Sequence, residues 1–303
     1  MVKIKEYTQL AWEGWQAEIP ADWRPLKIEK KLGCGTMVVG DSDQAIFQIK
    51  WWQPEKKNFD FISWLKYRKQ KVAPAYAQSN QSPKHKDSID ASAWFPKENM
   101  PHGVKSFWYG YSKAGDLVLE IVINGMLEKK IENIAISKVL PSIDISREDE
   151  PIKWSFFDVS FETPAGYKLF DKRLNVGDMS IMLKDDKSRI IHLRQIYPGS
   201  LALSRRKLDR WMIDKKSFKG RVYTTINPAK ETELETSSKK TIGIIEKGKW
   251  AVRFPLNFIA RTFSYSAAVN DEELDRLLIV RFDSPKDEGS DMVYEMISKM
   301  NRS

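Results

Sequence analysis

The chain has 303 residues and a mass of 35.2 kDa, which is longer than one average domain and makes two domains the expected count. Hydrophobic residues make up 42% of the chain and charged residues 30%, enough apolar material for a packed core, so a wholly disordered chain is excluded. The net charge of +9 marks a basic protein, and the single cysteine, Cys34, excludes an internal disulfide and a cysteine-based zinc site.

The N-terminal segment argues against secretion. Residues 1–15 contain Lys3, Lys5 and two glutamates and no apolar run of the kind found in signal peptides. The most apolar stretch elsewhere, 277–280, is far shorter than the roughly 20 residues that a membrane-spanning helix needs. We therefore expect a cytoplasmic protein without a membrane span, which also suits an unpaired thiol.

The first half begins with strand-like segments. Residues 15–19 alternate apolar and polar side chains up to Pro20, and residues 45–50 alternate again, as half-buried strands do. A helix is expected over 59–70, with Asn58 as its N-cap and basic residues in its last turn. Later in this half, an aromatic ribbon over 107–111 precedes a strand, a turn and a closing helix.

The second half shows the same landmarks in the same order. Pro164 lies 144 positions after Pro20, and at that offset residues 189–194 match the alternating strand of the first half. A helix over 204–216, a strand over 277–282 and a closing helix follow. The order predicts a structural duplication; the alternative is two unrelated α+β domains with similar strand chemistry.

The domain boundary follows from this comparison. The polar, non-periodic stretch 141–151 is typical of a linker, so we expect a first module over 1–146 and a second over 147–303. Weaker loop candidates occupy 73–90 and 224–240. Because strands occur in blocks with helices beside them, the predicted fold class is α+β: a tandem duplication of one module, each a mainly antiparallel sheet flanked by helices.

A resemblance can be stated from these features. The Ile19-Pro20-Ala21-Asp22-Trp23 strand end, the strand containing Phe47 to Ile49, the mid-chain helix and the C-terminal helix resemble the α/β/α sandwich of the PsbP-like fold. The whole chain is similar in outline to archaeal proteins with two such repeats. The resemblance implies a binding or assembly subunit without a chemical step, although fold alone does not determine function.

The residues that could carry chemistry form no recognisable motif. Histidine ligand spacing is absent, Cys34 sits in a glycine-flanked turn without a phosphate-loop pattern, and the aspartates fall in turns between strands. The residues considered are His85, His102, His192, Cys34, Asp41, Asp43, Asp185 and Asp186. We therefore predict no catalytic, cofactor-binding or metal-binding residue; an enzymatic alternative would need a pocket that converges on His192, Asp185 or Cys34.

Basic and aromatic residues are the candidates for partner contact. Eight of the eleven tryptophans precede residue 109, and adjacent tryptophans on a strand must point to opposite faces. The candidate contact residues are Trp51, Trp52, Arg205, Arg206, Lys207, Arg210, Lys215 and Lys216.

Two functions are compatible with these candidates. The leading hypothesis is a non-enzymatic binding or assembly protein that recognises a protein partner or a small ligand, with the seam between its two modules as the working surface. The alternative is a nucleic-acid-binding protein that uses the basic face 205–221. The oligomeric state is left open. Because the tryptophan excess lies in the first module, a function acquired by one copy is expected there.

Overall fold

The computed structural model describes most of the chain. The described residues are 7–31, 33–55, 58–72, 78–79, 83–96, 104–156, 159–205, 207–208, 211, 223–236, 239–250, 263–286, 288–298 and 300–302. They divide into two compact units, with residues 1–160 in unit 1 and residues 161–301 in unit 2; the last two residues group with unit 1.

The described residues of unit 1 form ten strands. They are β1 (Tyr7–Trp12), β2 (Trp15–Pro20), β3 (Arg24–Lys31), β4 (Cys34–Gly40), β5 (Ala45–Trp52), β6 (Ala91–Pro96), β7 (Val104–Ser112), β8 (Leu117–Asn124), β9 (Asp144–Ile145) and β10 (Ile152–Phe156). Its helices are α1 (Phe61–Val72) and a closing segment made of α2 (Lys129–Ile134), a π-helical turn (Ala135–Val139) and α3 (Leu140–Ser142).

Unit 2 is built from a similar series. Its strands are β12 (Lys168–Asn175), β13 (Asp178–Lys184), β14 (Ile190–Ile196), β15 (Tyr223–Thr236), β16 (Lys239–Trp250), β17 (Phe263–Asp271) and β18 (Arg276–Ser284). Among its described residues, the helices with defined bounds are α4 (Gly199–Leu203) and α5 (Ser290–Ser298). Two short strands, β11 (Val159–Thr163) and β19 (Asn301–Arg302), are neighbours in a sheet, and β11 includes the division between the units.

The strand pairing is antiparallel throughout the described ladders. The main sheet of unit 1 has the order β3-β4-β5-β8-β7-β6, and the main sheet of unit 2 has the order β12-β13-β14-β18-β17-β16-β15. Unit 1 also contains the neighbouring strands β10-β1-β2-β9. The predicted boundary at 146/147 lies in the loop between β9 and β10.

The core of unit 1 follows from the two-residue alternation of its strands. On one face of β5, Ile49 and Trp51 are buried, and this face packs towards β2 and the closing helical segment. On the other face, α1 places Phe61 and Leu65 against aromatic and aliphatic side chains of β6, β7 and β8. The main sheet is therefore covered on both faces, and among the described helices α1 packs on one of them.

The described helices are fewer than a helix-flanked plan implies. The prediction of mainly antiparallel sheets is confirmed, but the described part of unit 2 is dominated by strands, with helices of five and nine residues. The prediction of a loop over 224–240 is wrong, because β15 and β16 pair there as long antiparallel strands at one edge of the main sheet. The segment is rich in β-branched threonine, which favours strands, and Pro228 falls where the ladder register shifts.

The start of α1 also differs from the expectation. Asp60, rather than Asn58, caps the helix: one carboxylate oxygen accepts the Ser63 backbone N–H at 3.1 Å, and the other accepts the Ser63 hydroxyl at 2.6 Å. A carboxylate at this position satisfies a backbone donor that the first helical turn leaves unpaired.

Candidate functional site

Four neighbouring strands bring four polar side chains into one row across the main sheet of unit 1. The register pairs Thr36 with Lys50, Lys50 with Glu120, and Glu120 with Tyr109. Directly paired residues on antiparallel strands point to the same face of the sheet, so all four project to the face that carries α1. We call Thr36, Lys50, Glu120 and Tyr109 the polar row.

Glu120 is the centre of the row. Its side chain is 2% exposed, and Lys50 Nζ donates to its Oε1 at 3.0 Å. From α1, Arg68 donates to Oε2 through Nη2 at 2.9 Å and through Nε at 3.3 Å. A buried carboxylate is stable only when it is paired, and here two cations from different elements supply the pairing.

The protonation states of this cluster follow from its contacts. Burial alone would raise the pKa of Glu120, but the hydrogen bonds and charges of Arg68 and Lys50 outweigh it and hold that pKa below its usual value. Burial, together with the Glu120 charge, raises the pKa of the Tyr109 phenol well above its usual value. At neutral pH Glu120 is therefore ionised and Tyr109 carries its proton.

The cluster is partly accessible to solvent. Lys50 and Arg68 are each 34% exposed at their side chains, and Cys34 and Thr36 are half-buried. Burial raises the pKa of the Cys34 thiol although Lys50 lies near it, so the thiol is protonated at neutral pH. A protonated thiol is a weak nucleophile, which makes Cys34 a neighbour of the cluster rather than a reactive centre.

Two tryptophans form a second contact between the same strand and helix. Trp52 lies two residues after Lys50 on β5, Trp64 lies one helical turn before Arg68 on α1, and their ring centroids are 5.5 Å apart. Both rings are half-buried. The space between β5 and α1 is therefore bridged twice, once by an aromatic pair and once by Lys50, Glu120 and Arg68.

The predicted tryptophan contacts lie on opposite faces of β5. Trp51 is buried, packs against Trp15 with centroids 5.6 Å apart, and donates its indole N–H to Glu13 Oε2 at 2.8 Å. Trp52 lies on the α1 face beside the polar row. Only Trp52 is thus placed near a half-exposed polar surface of unit 1.

The predicted basic face falls largely outside the described residues. Arg205 and Lys207 are described and both are exposed. The other members of that set, Arg206, Arg210, Lys215 and Lys216, lie outside the described residues.

The residues of the enzymatic alternative have structural contacts. Asp185 Oδ1 accepts the backbone N–H groups of Lys187 and Arg189, and its Oδ2 accepts Arg189 Nε at 2.6 Å, which shapes the turn between β13 and β14. His192 lies in the middle of β14, opposite Met182 and Arg281. His85 is exposed, and His102 lies outside the described residues.

In unit 2, the strands at the same places in the sheet order carry a different row. There the register pairs Ser180 with Arg194, Arg194 with Ile279, and Ile279 with Ala268. Arg194 forms two hydrogen bonds with the Asp178 carboxylate on β13, at 2.7 and 3.0 Å. The positions on the two central strands of this sheet are therefore apolar, where unit 1 has Glu120 and Tyr109.

Unit 2 has a buried ionic group elsewhere on the same face. Arg281 donates to both oxygens of Asp283, at 2.7 and 2.8 Å, and Ser264 Oγ donates to Asp283 Oδ1. All three residues are buried, so this network is part of the interior of the unit.

An apolar cavity of about 10 Å³ beneath the main sheet of unit 1, lined by Trp15 and Phe47 among others, has room for no more than a water molecule.

Sequence reasoning missed Glu120, Arg68 and Tyr109. A usable signal did exist, because Glu120 is the one charged residue in the apolar run 117–123, and a charge inside a buried strand requires a partner. Its partners, however, lie 52 and 70 positions away in sequence, so only the folded sheet reveals them.

In comparisons with known proteins, no protein-family model matches the chain, and no curated protein matches it. Within the described residues, histidine, cysteine and carboxylate side chains nowhere gather in the threes that a metal ion would need. The helices that the structure describes include none with the length and apolar character to cross a bilayer.

Proposed function

We propose that this chain is a tandem duplication of one sheet module that acts as a non-enzymatic binding protein, with its binding face on the first module at the polar row. The observation that carries the proposal is the difference between the two rows. The first holds a half-exposed ionic cluster beside an aromatic pair, and the second has apolar side chains at the positions that match Glu120 and Tyr109.

Sheet topology supports the duplication. In both main sheets, three strands that are consecutive in sequence lie side by side, and three later strands follow them in reverse order. The orders are β3-β4-β5 then β8-β7-β6 in unit 1, and β12-β13-β14 then β18-β17-β16 in unit 2, where β15 is an additional edge strand. The central ladders share their register: Phe47 pairs with Ile123 as Ile191 pairs with Phe282, at offsets of 144 and 159 positions. Two unrelated domains would have no reason to share both strand order and register.

Local irregularities recur at the same offsets. The edge strands β3 and β12 each carry a bulge, at Leu26 and Phe170, which are 144 positions apart and both exposed. The β7–β8 and β17–β18 hairpins have loops of equal length, each ending in an aspartate of positive φ, Asp116 at 45° and Asp275 at 51°. Bulges and left-handed turn residues are specific backbone features, so their recurrence favours a common origin.

The first strands pair as repeated segments would. In the β1–β10 ladder, Ala11 is opposite Ser155, the residue 144 positions later. Within unit 1, the positions 11 and 155 are therefore side by side at the same offset that relates the other repeated features. The neighbouring Trp12 and Trp154 rings meet edge to face, 5.4 Å apart.

A binding role, rather than a chemical one, is supported by the protonation states of the polar row. General acid–base catalysis needs a group with a pKa near the working pH. The pKa of Glu120 is lowered and that of Tyr109 is raised, as is the pKa of the neighbouring Cys34, so each of these groups stays in one protonation state around neutral pH. The cluster can hold a ligand by charge and shape without exchanging protons with it.

The proposal is tested by ligand-induced thermal stabilisation in a screen of small molecules and peptides. A ligand that binds only the folded state raises the Tm in proportion to its saturation. Thr36→Trp places a bulky side chain in the polar row, and Ser180→Trp does the same at the matching position of unit 2.

We expect compounds that raise the Tm of the wild-type protein to lose their effect in Thr36→Trp and to keep it in Ser180→Trp. Mass spectrometry of those compounds after incubation should show no conversion. Equal loss in both variants, or conversion of a compound, would contradict the proposed function.

A further inference from the structure

We propose that Lys50 and Arg68 bind the carboxylate of a small amphipathic anion, and that the Trp52–Trp64 pair contacts its apolar body. This inference rests on the proposed function, since it names the ligand class for the same face. It is carried by the charge balance of the cluster, by the unequal exposure of its members and by the position of the tryptophans.

Lys50, Arg68 and Glu120 together carry a net charge of +1. Lys50 and Arg68 share a single carboxylate, that of Glu120, at distances of 2.9 to 3.3 Å. Each cation has N–H donors beyond those that bind Glu120, because an ammonium group has three and a guanidinium group has five. On the neighbouring strand β3, Glu29 lies opposite Thr36 and is paired with Lys27 at 3.1 Å.

The exposure of the three groups makes the positive charge available. The Glu120 side chain is 2% exposed, whereas Lys50 and Arg68 are each 34% exposed. The carboxylate therefore lies beneath, and about one third of each cationic side chain is accessible to solvent. Glu120 also holds both side chains in place, so little side-chain conformational entropy is lost when a ligand binds them.

The two tryptophans indicate the chemistry of the rest of the ligand, beyond its carboxylate. Lys50 and Trp52 are neighbours on one face of β5, and Arg68 and Trp64 are one turn apart on α1. The two rings touch each other and are only half-buried, which leaves aromatic surface beside the cations. A carboxylate with an apolar or aromatic body can use both surfaces at once, while a bare inorganic anion can use only the charge.

The test uses isothermal titration calorimetry of the full chain with benzoate, acetate and inorganic phosphate as probes. Glu120→Gln keeps both cations and the shape of the side chain but removes the competing negative charge. Lys50→Gln combined with Glu120→Gln removes one cation without leaving a buried carboxylate unpaired. Asp178→Asn alters the matching ion pair in unit 2 and is the control.

We expect benzoate to bind more tightly than acetate or phosphate. Glu120→Gln should raise the benzoate affinity by about tenfold, because a negative charge within a few ångströms of the ligand has been removed. The double variant should lose that gain, and Asp178→Asn should leave the affinity unchanged.

Three results would overturn the inference: no benzoate binding to wild type or Glu120→Gln, acetate or phosphate binding as tightly as benzoate, or an affinity insensitive to Glu120→Gln. Circular dichroism of each variant checks that its fold is retained. If benzoate fails while an uncharged compound still stabilises the wild type and is blocked by Thr36→Trp, the ligand class is wrong and the proposed function stands.

Discussion

Glu120→Gln also tests the energetic account of the polar row in the absence of any ligand. The wild-type carboxylate receives charge-assisted hydrogen bonds from Lys50 and Arg68, and it is almost fully buried. Such bonds contribute about 1.5–3 kcal/mol each when they are well shielded. Both cations are one-third exposed, so solvent screening reduces this value, and we expect Glu120→Gln to lower the free energy of unfolding by about 2 kcal/mol at pH 7.

The pH dependence of this loss follows from the pKa of Glu120. That pKa is held below its ordinary value of 4.5 in the folded protein, so its stabilising contribution is fully present above pH 4.5 and disappears as the pH falls through the folded value. Glutamine has no such titration. The gap in unfolding free energy between wild type and Glu120→Gln should therefore be largest at neutral pH and should shrink below pH 4.5.

Urea unfolding followed by circular dichroism between pH 7 and pH 3 measures this gap. The other carboxylates titrate in both proteins and cancel in the difference. A gap that stays constant over the whole range, or a variant as stable as wild type at pH 7, would refute the reasoning.

Three further stability predictions concern the scaffold, and urea unfolding measures each of them. Gly35→Ala should cost about 1–3 kcal/mol, because a Cβ at this position would overlap the buried indole of Trp51; an unchanged midpoint would show that this ring can move. Trp12→Ala removes a fully buried side chain and should cost about 3–5 kcal/mol, and a loss below 1 kcal/mol would contradict its place in the core. Ser188→Gly should stabilise the protein by about 0.5 kcal/mol, since φ at Ser188 is +63°; destabilisation would argue against that turn conformation.

The strands of the first half were predictable because their side chains alternate between core and surface. Residues 45–50 show the two-residue period, and in the structure β5 buries Ile49 and Trp51 on one face and leaves Lys50 on the other. That period is a local property, so the sequence contains it without reference to the rest of the fold. The same reasoning failed for 224–240, where polar and turn-forming residues concealed the strand β15.

The candidate site was less accessible to sequence reasoning, since its members are dispersed. Lys50, Arg68 and Glu120 belong to three separate elements, and their meeting depends on strand register and on where α1 packs. Register is determined by which hydrophobic faces are buried across the whole sheet, and no local pattern contains that information. A lone Glu120 in an apolar strand could have been noticed, but its partners could not have been assigned.

The most direct measurement of the central claim is the alkylation rate of a single thiol on each of the two faces. Cys34 is the only cysteine in the chain and is half-buried beside the polar row, so the wild-type protein reports on the first module. Cys34→Ser combined with Ser180→Cys places the thiol on the matching face of unit 2. Iodoacetamide is used in large excess, because burial keeps the Cys34 thiol protonated and makes its alkylation slow. With the compounds that raise the Tm, we predict still slower alkylation at Cys34 and an unchanged rate at position 180. Protection at position 180 with no change at Cys34 would contradict a binding face on the first module.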